Sequence, residues 1–191
     1  MKTERRQYRM TARAEATAAT RQRILEAALA QFLEHWFDEV TVPGIARAAG
    51  VSPQTIVNHF GSKEALLDAA IDHFEPEQHR DSSDDPVAGV VDDYEGGGDA
   101  TIRFLALEER VPALRPFLDR GRAGHRAWVE RAFAAHLPPE GDPAREQAVA
   151  LHVVALDVFT WKLLRRDMGM SREATVRAMR AQVDALHHPN P

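Results

Sequence analysis

The chain has no cysteine. That excludes a disulfide framework, a thiolate metal site and a cysteine nucleophile. It also lacks a long unbroken apolar run: the most apolar stretch, around Ala148 to Trp161, is interrupted by His152 and Asp157 and is expected to be too short to span a bilayer. The N-terminus alternates charged and small residues without the apolar segment of a secretory signal, so the expected setting is cytoplasmic. No segment alternates apolar and polar residues as a half-buried strand would. The motifs of common enzyme classes are missing: there is no G-x-S-x-G, no P-loop, no dinucleotide fingerprint and no H-E-x-x-H, and EGGGD lacks the Lys-Ser/Thr of a phosphate loop. The nine histidines show no tight ligand spacing, so neither a metal nor a cofactor is expected, and a non-enzyme is.

Charge is present but unevenly placed. The formal net charge of −5 argues against a protein that coats nucleic acid by bulk attraction. The first 23 residues nevertheless carry Lys2, Arg5, Arg6, Arg9, Arg13, Arg21 and Arg23 against Glu4 and Glu15, so basic charge is local. Residues 1–19 read as a flexible basic arm, which either reaches a DNA groove or backbone or serves as a solubilising tail.

Helical periodicity dominates the rest, and the predicted fold class is all-α. Ile24, Leu25, Ala28, Leu29, Phe32, Leu33 and Trp36 recur in steps of three, four and one, which predicts a helix over 16–36 with one face directed to a core. Thr41 is placed to cap a short second helix with Pro43 near its start, Ile45, Ala46 and Ala49 facing inward, and Gly50 at its end. Ser52 caps a third helix to about His59, and Ser62 a fourth through Leu66, Leu67, Ala70, Ile71 and Phe74. Between Glu75 and Asp99 the breakers DSSDDP and EGGGD predict a boundary region with at most a short helix over 87–94. Further helices are expected over 100–109, 113–137, 144–167 and 172–186.

The second and third helices, joined through Ala49-Gly50-Val51, make a helix-turn-helix. Helices this short depend on packing against longer neighbours. Ile56 and Phe60 are the expected buried side of the third helix, which leaves Gln54, Thr55, Asn58 and His59 able to meet phosphates or base edges. A solvated helix face has the same composition. In order and spacing, however, residues 20–74 resemble the N-terminal domain of the TetR family of bacterial regulators. The resemblance is carried by Ile24 to Phe32, Thr41-Val42, Ile45-Ala46, Ala49-Gly50-Val51-Ser52, Thr55, His59-Phe60, Ser62-Lys63-Glu64 and Leu66-Leu67. It implies a DNA-binding domain over 20–75, with Thr55, His59 and Lys63 at phosphates, Gln54 and Asn58 at bases, and Thr41, Ser52 and Val57 completing the interface. Three positions depart from the family pattern. Val57 stands for a phosphate-binding tyrosine, Gly44 for an acidic residue, and Trp36 for a glycine whose backbone, if left-handed, would strain a bulky side chain.

For residues 76–191 the resemblance implies a helical effector-binding and dimerisation domain, with a homodimer formed through the last two long helices and a small-molecule effector among the middle ones. The stretch EERVPALRPFLDRGRAGHRAWVERAF resembles effector domains of actinobacterial members. Independently, AVALHVVALDVFTWKLL is apolar nearly all round, as suits a helix with its own core on one side and a partner on the other. Candidate ligand-binding residues are Phe104, Leu107, Glu108, Phe117, His125, Trp128, His152 and Phe159, each of which also reads as ordinary core. The expected partner is double-stranded DNA bearing an inverted repeat, read by a repressor that its effector releases. The alternative is a protein of the same fold that binds ligand or protein with weak or lost operator affinity.

Overall fold

The computed structural model describes the backbone of residues 2–74 and 83–187, with side chains over 14–73 and 83–187. The arm's side chains before position 14, the Phe74 side chain and the 75–82 part of the expected boundary lie outside the described residues. All regular structure among the described residues is helical, and the chain divides into two compact units, Met1–Glu75 and Pro76–Pro191.

The first unit comprises α1 (Lys2–Glu34), α2 (Val42–Ala49), α3 (Pro53–Phe60) and α4 (Lys63–Phe74). α1 starts well before the expected Ala16, taking in the segment read as an arm. Its sequence has no Gly or Pro and is rich in Ala, Arg, Glu and Gln, so backbone propensity continues after the apolar face has ended. The core is Ile24, Leu25, Ala28 and Phe32 of α1, with Ile45, Ala46 and Ala49 of α2, Ile56 of α3 and Leu66, Leu67 and Ala70 of α4. Helical spacing also directs Leu33 and Trp36 inward, yet they are 40% and 41% exposed. Because α1 ends at Glu34, the 3.6-residue period no longer governs position 36. The following turn, in which the Trp36 carbonyl accepts from the N–H groups of Glu39 and Val40, buries Phe37 instead, its ring 5.7 Å from that of Phe32. No described residue other than glycine has positive φ, so the backbone strain considered at Trp36 is not there.

The second unit comprises α5 (Pro86–Leu107), α6 (Arg115–Ala132), α7 (Arg145–Ala155), α8 (Val158–Lys162), a π-helical turn (Leu163–Asp167) and α9 (Arg172–His187). The EGGGD breaker does not break: α5 is one helix across Gly96-Gly97-Gly98, and the expected separate segments over 87–94 and 100–109 are its two ends. Tertiary packing overrides propensity here. A Cβ on Gly98 would lie 2.6 Å from Cζ3 of the buried Trp161 ring, so this close helix approach needs glycine. The acidic residues of α5 add lateral ties. Asp92 pairs with Arg172, Glu95 with Arg165, Asp99 with Arg166, and the N-cap Asp85 with Arg180.

The helix expected over 144–167 is instead interrupted. α7 stops at Ala155, and the Asp157 carboxylate caps α8 by accepting the Phe159 N–H at 2.8 Å. By length and composition the 23-residue segment Arg145–Asp167, whose most apolar 18-residue stretch has mean hydropathy 1.4, would suffice to cross a bilayer, more than the shorter run read from the sequence. The fold gives it another use. Val149 and His152 are buried, and Ala155, Leu156, Val158 and Trp161 form one core with Val87, Val90 and Val91 of α5, Trp128 and Val129 of α6, and Val176, Met179 and Val183 of α9.

Candidate nucleic-acid interface

The α2–α3 turn is built from local chemistry. Thr41 caps α2 by accepting the Gly44 N–H at 3.2 Å. Gly50 closes it at φ 66°, a left-handed conformation that disfavours side chains with a Cβ. The Val51 N–H then reaches back to the Ala46 carbonyl at 3.0 Å. Ser52 caps α3, its Oγ accepting the Thr55 N–H at 3.1 Å and lying 2.8 Å from Thr55 Oγ1. Gly61, at φ 80°, ends α3, and Ser62 Oγ accepts the Ala65 N–H at the start of α4. α3 is therefore clamped at both ends and pinned by Ile56, which is 1% exposed.

This leaves an outward stripe of Gln54, Val57 and Asn58, with Thr55 and His59 half-buried at its side. Gln54 Nε2 donates to Asn58 Oδ1 at 2.9 Å, which ties the two amides together across one helical turn. Val57 is 45% exposed between them, an apolar side chain on an otherwise polar face. Phe60, expected inside, is only half-buried, and the Arg21 guanidinium lies over its ring at 5.4 Å. Gly44 is snug: an added Cβ would lie 3.1 Å from Thr41 Oγ1, the oxygen that caps α2. Thr41 and Ser52 are exposed at the two helix starts. Lys63, assigned to a phosphate by resemblance, donates to the carbonyls of Phe37 at 2.6 Å and Val40 at 2.8 Å, and its ammonium lies 4.2 Å from the Phe37 ring centroid. Burial lowers its pKa from the ordinary lysine value, against the opposing pull of Glu64 and Asp38.

A profile described as "Bacterial regulatory proteins, tetR family" matches residues 24–70, from the core face of α1 through Ala70 of α4. Residues 24–70 are thus a TetR-type N-terminal helix-turn-helix domain. A relative in Mycobacterium tuberculosis, the HTH-type transcriptional regulatory protein RaaS, is 44% identical over 125 residues, covering 53% of this chain and 57% of that protein. The Escherichia coli HTH-type transcriptional regulator UidR is 44% identical over 52 residues, 27% of this chain and 26% of UidR. The chain thus spans about half or less of the length of these curated relatives. Among solved structures, a protein described as a TetR-family transcriptional regulator from a Rhodococcus species shares the fold with TM-score 0.68, 19% identity, and coverage of 89% of this chain and 99% of that one. A second, from Mesorhizobium loti, gives TM-score 0.54 at 21% identity, covering 89% and 96%.

In the second unit most of the expected ligand-binding residues lie in two sets. Phe104 and Leu107 are buried on α5, and Phe117 of α6 meets Phe104 edge-on at 5.7 Å. Beside them Glu108 is held by Arg122, which keeps its carboxyl below the usual glutamate range. Farther along α6, the His125 ring stacks on Trp128 at 5.6 Å, and Trp128 meets Phe133 edge-on at 6.1 Å. His152 lies beyond Phe133, with Nδ1 at 2.7 Å from the Ala148 carbonyl and Nε2 at 3.0 Å from His187 Nε2. Phe159 is the misfit: it is 54% exposed and turned away from this interior, because the break at Asp157 rotates α8. Arg122 was missed because it belongs to no apolar face, and His187 because, although it follows Val183 by four residues on the apolar face of α9, it is the polar end of that stripe. Among the described residues no group of three or more His, Cys, Asp or Glu side chains is arranged to hold a metal.

Proposed function

We propose that this chain is a transcription regulator that reads an inverted-repeat operator as a homodimer, represses in the cytoplasm, and releases DNA when a small molecule binds its C-terminal unit. The observation that carries the reading is α3: two turns long, capped at both ends, pinned by Ile56, and presenting the Gln54–Asn58 amide pair outward. A helix of this size enters a major groove, where amides recognise adenine edges. Phosphate contacts from Thr55 and His59, with Thr41 and Ser52 at the helix starts, would set its register. Selection from randomised duplexes tests the proposal. The expected result is an enriched inverted repeat with half-sites about one duplex turn, roughly 34 Å, apart, and an affinity that falls steeply with salt. Recovery of only weak, sequence-indifferent binding would favour the alternative, a TetR-fold protein that binds ligand or protein without reading an operator. Val57 gives that alternative its support, because a valine offers no hydroxyl to a phosphate.

The dimer reading rests on exposed apolar side chains on the α7–α8 segment and the turn beyond it. Leu151, Val154, Phe159, Leu163 and Met168 are 45–63% exposed, an arrangement that soluble chains rarely leave open. Phe159→Asp with Leu163→Asp is expected to yield monomers by analytical ultracentrifugation while leaving helical circular dichroism unchanged. A dimer that survives both charges would place the interface elsewhere.

The effector would act by population shift, binding better to a dimer whose heads are spaced wrongly for the operator, with coupling of roughly 1–3 kcal/mol. Its two candidate positions are the Phe104–Leu107–Phe117 set and, farther along, the His125–Trp128–His152 set.

A further inference from the structure

We infer that Lys63 is a positioning residue of the DNA-reading unit: its ammonium holds the turn between α1 and α2, and with it the start of α2, and takes no share of the phosphate charge. This rests on the operator-reading function proposed above and assigns one of its residues a different task.

The geometry that carries the inference is a socket. Lys63 stands at the first position of α4, the helix that packs on α1. Its Nζ donates to two main-chain carbonyls, those of Phe37 and Val40, three residues apart in the same turn. The Phe37 ring supplies a third wall at 4.2 Å, where a cation is attracted to the π face. Both residues contributing carbonyls have buried side chains, at 2% and 3% exposure, so the turn is fixed from inside by apolar packing and from outside by the ammonium. The Val40 carbonyl immediately precedes Thr41, whose hydroxyl caps α2. Displacing this turn moves the α2 cap, and α2 is the element that sets α3 through Gly50. A phosphate would have to draw Nζ out of two short, charge-assisted hydrogen bonds, each stronger than its neutral counterpart.

The socket suits a compact ammonium and not a planar fork. That distinction gives the test, made on the full-length protein with its selected operator and two variants, Lys63→Met and Lys63→Arg. Affinities are compared over a series of salt concentrations, at a temperature where circular dichroism shows all three folded. If Lys63 positions the turn, both variants lose at least tenfold in operator affinity. The slope of log K against log salt then stays at the wild-type value, because no phosphate contact has gone. If Lys63 instead binds a phosphate, Lys63→Arg retains affinity and Lys63→Met flattens the slope by about 0.9 per head. Either of those results overturns the inference, as does full affinity in both variants. Amide hydrogen exchange without DNA separates this inference from the functional reading. Faster exchange over residues 37–45 in Lys63→Met is expected even if no operator is found, and unchanged exchange there refutes the tie.

Discussion

Gly98→Val is expected to destabilise the C-terminal unit by about 3 kcal/mol, read as a lower denaturant midpoint at unchanged slope. Even the first added carbon would lie 2.6 Å from Trp161 Cζ3 and 2.9 Å from Cη2. The ring has little room to yield. It is 0% exposed, its Nε1 donates to Glu95 Oε1 at 3.0 Å, the Arg166 guanidinium sits 4.5 Å from its centroid, and the Tyr94 ring lies 5.8 Å away. Moving Trp161 would also disturb Glu95, whose carboxylate takes two N–H groups of Arg165. Gly96 and Gly97 supply an internal control, since a Cβ on either meets nothing within 4 Å. Alanine at those two positions is expected to stabilise by roughly 0.5–1 kcal/mol each, because only the helix-propensity cost of glycine is removed. If Gly98→Val were as well tolerated as these, the close approach of α5 to Trp161 would not hold in solution.

Replacing Gln54 and Asn58 together by alanine is expected to abolish operator selectivity while leaving non-specific DNA binding nearly intact. A good amide-to-adenine pairing contributes about 1–3 kcal/mol of discrimination. Two residues on each of two heads at the low end give about 4 kcal/mol, on the order of a thousandfold in operator preference. The electrostatic part of binding does not involve these neutral side chains, so the salt slope should be preserved. Single replacements should not be additive. Each removes one member of the 2.9 Å amide pair and frees the other to reorient. A double variant that keeps its selectivity would mean that another surface reads the bases.

The helix-turn-helix of the first unit was legible in the sequence because its determinants are local. Thr41, Gly50, Ser52, Gly61 and Ser62 each satisfy or terminate a helix end within four residues, so short-range chemistry specifies them. Ile45, Ala46, Ala49 and Ile56 followed from helical spacing. What escaped depends on distant partners. The glycine triplet reads as a breaker until Trp161, 63 positions from Gly98, is seen to require it. Phe37 displaces Trp36 from the core because α1 ends two residues before the periodic pattern does. The interruption at Asp157 was hidden inside a run apolar enough to suggest one continuous helix, and it turned Phe159 from a pocket candidate into an exposed residue. Lys63 was assigned by resemblance, and its carbonyl partners lie 23 and 26 positions away.

The triple-glycine turn of α5 also bears on the order in which the C-terminal unit forms. Three consecutive glycines weaken helix propagation across the middle of a 22-residue element, so its two halves have little intrinsic reason to join. What joins them is the indole and its hydrogen bond to Glu95 across a sequence separation of 66 residues. Closing a loop of that length precedes any gain from the contact, which makes it a late event in refolding. α5 thus becomes one continuous helix only as the chain completes its collapse around Trp161, and its continuity marks the native state rather than an early intermediate.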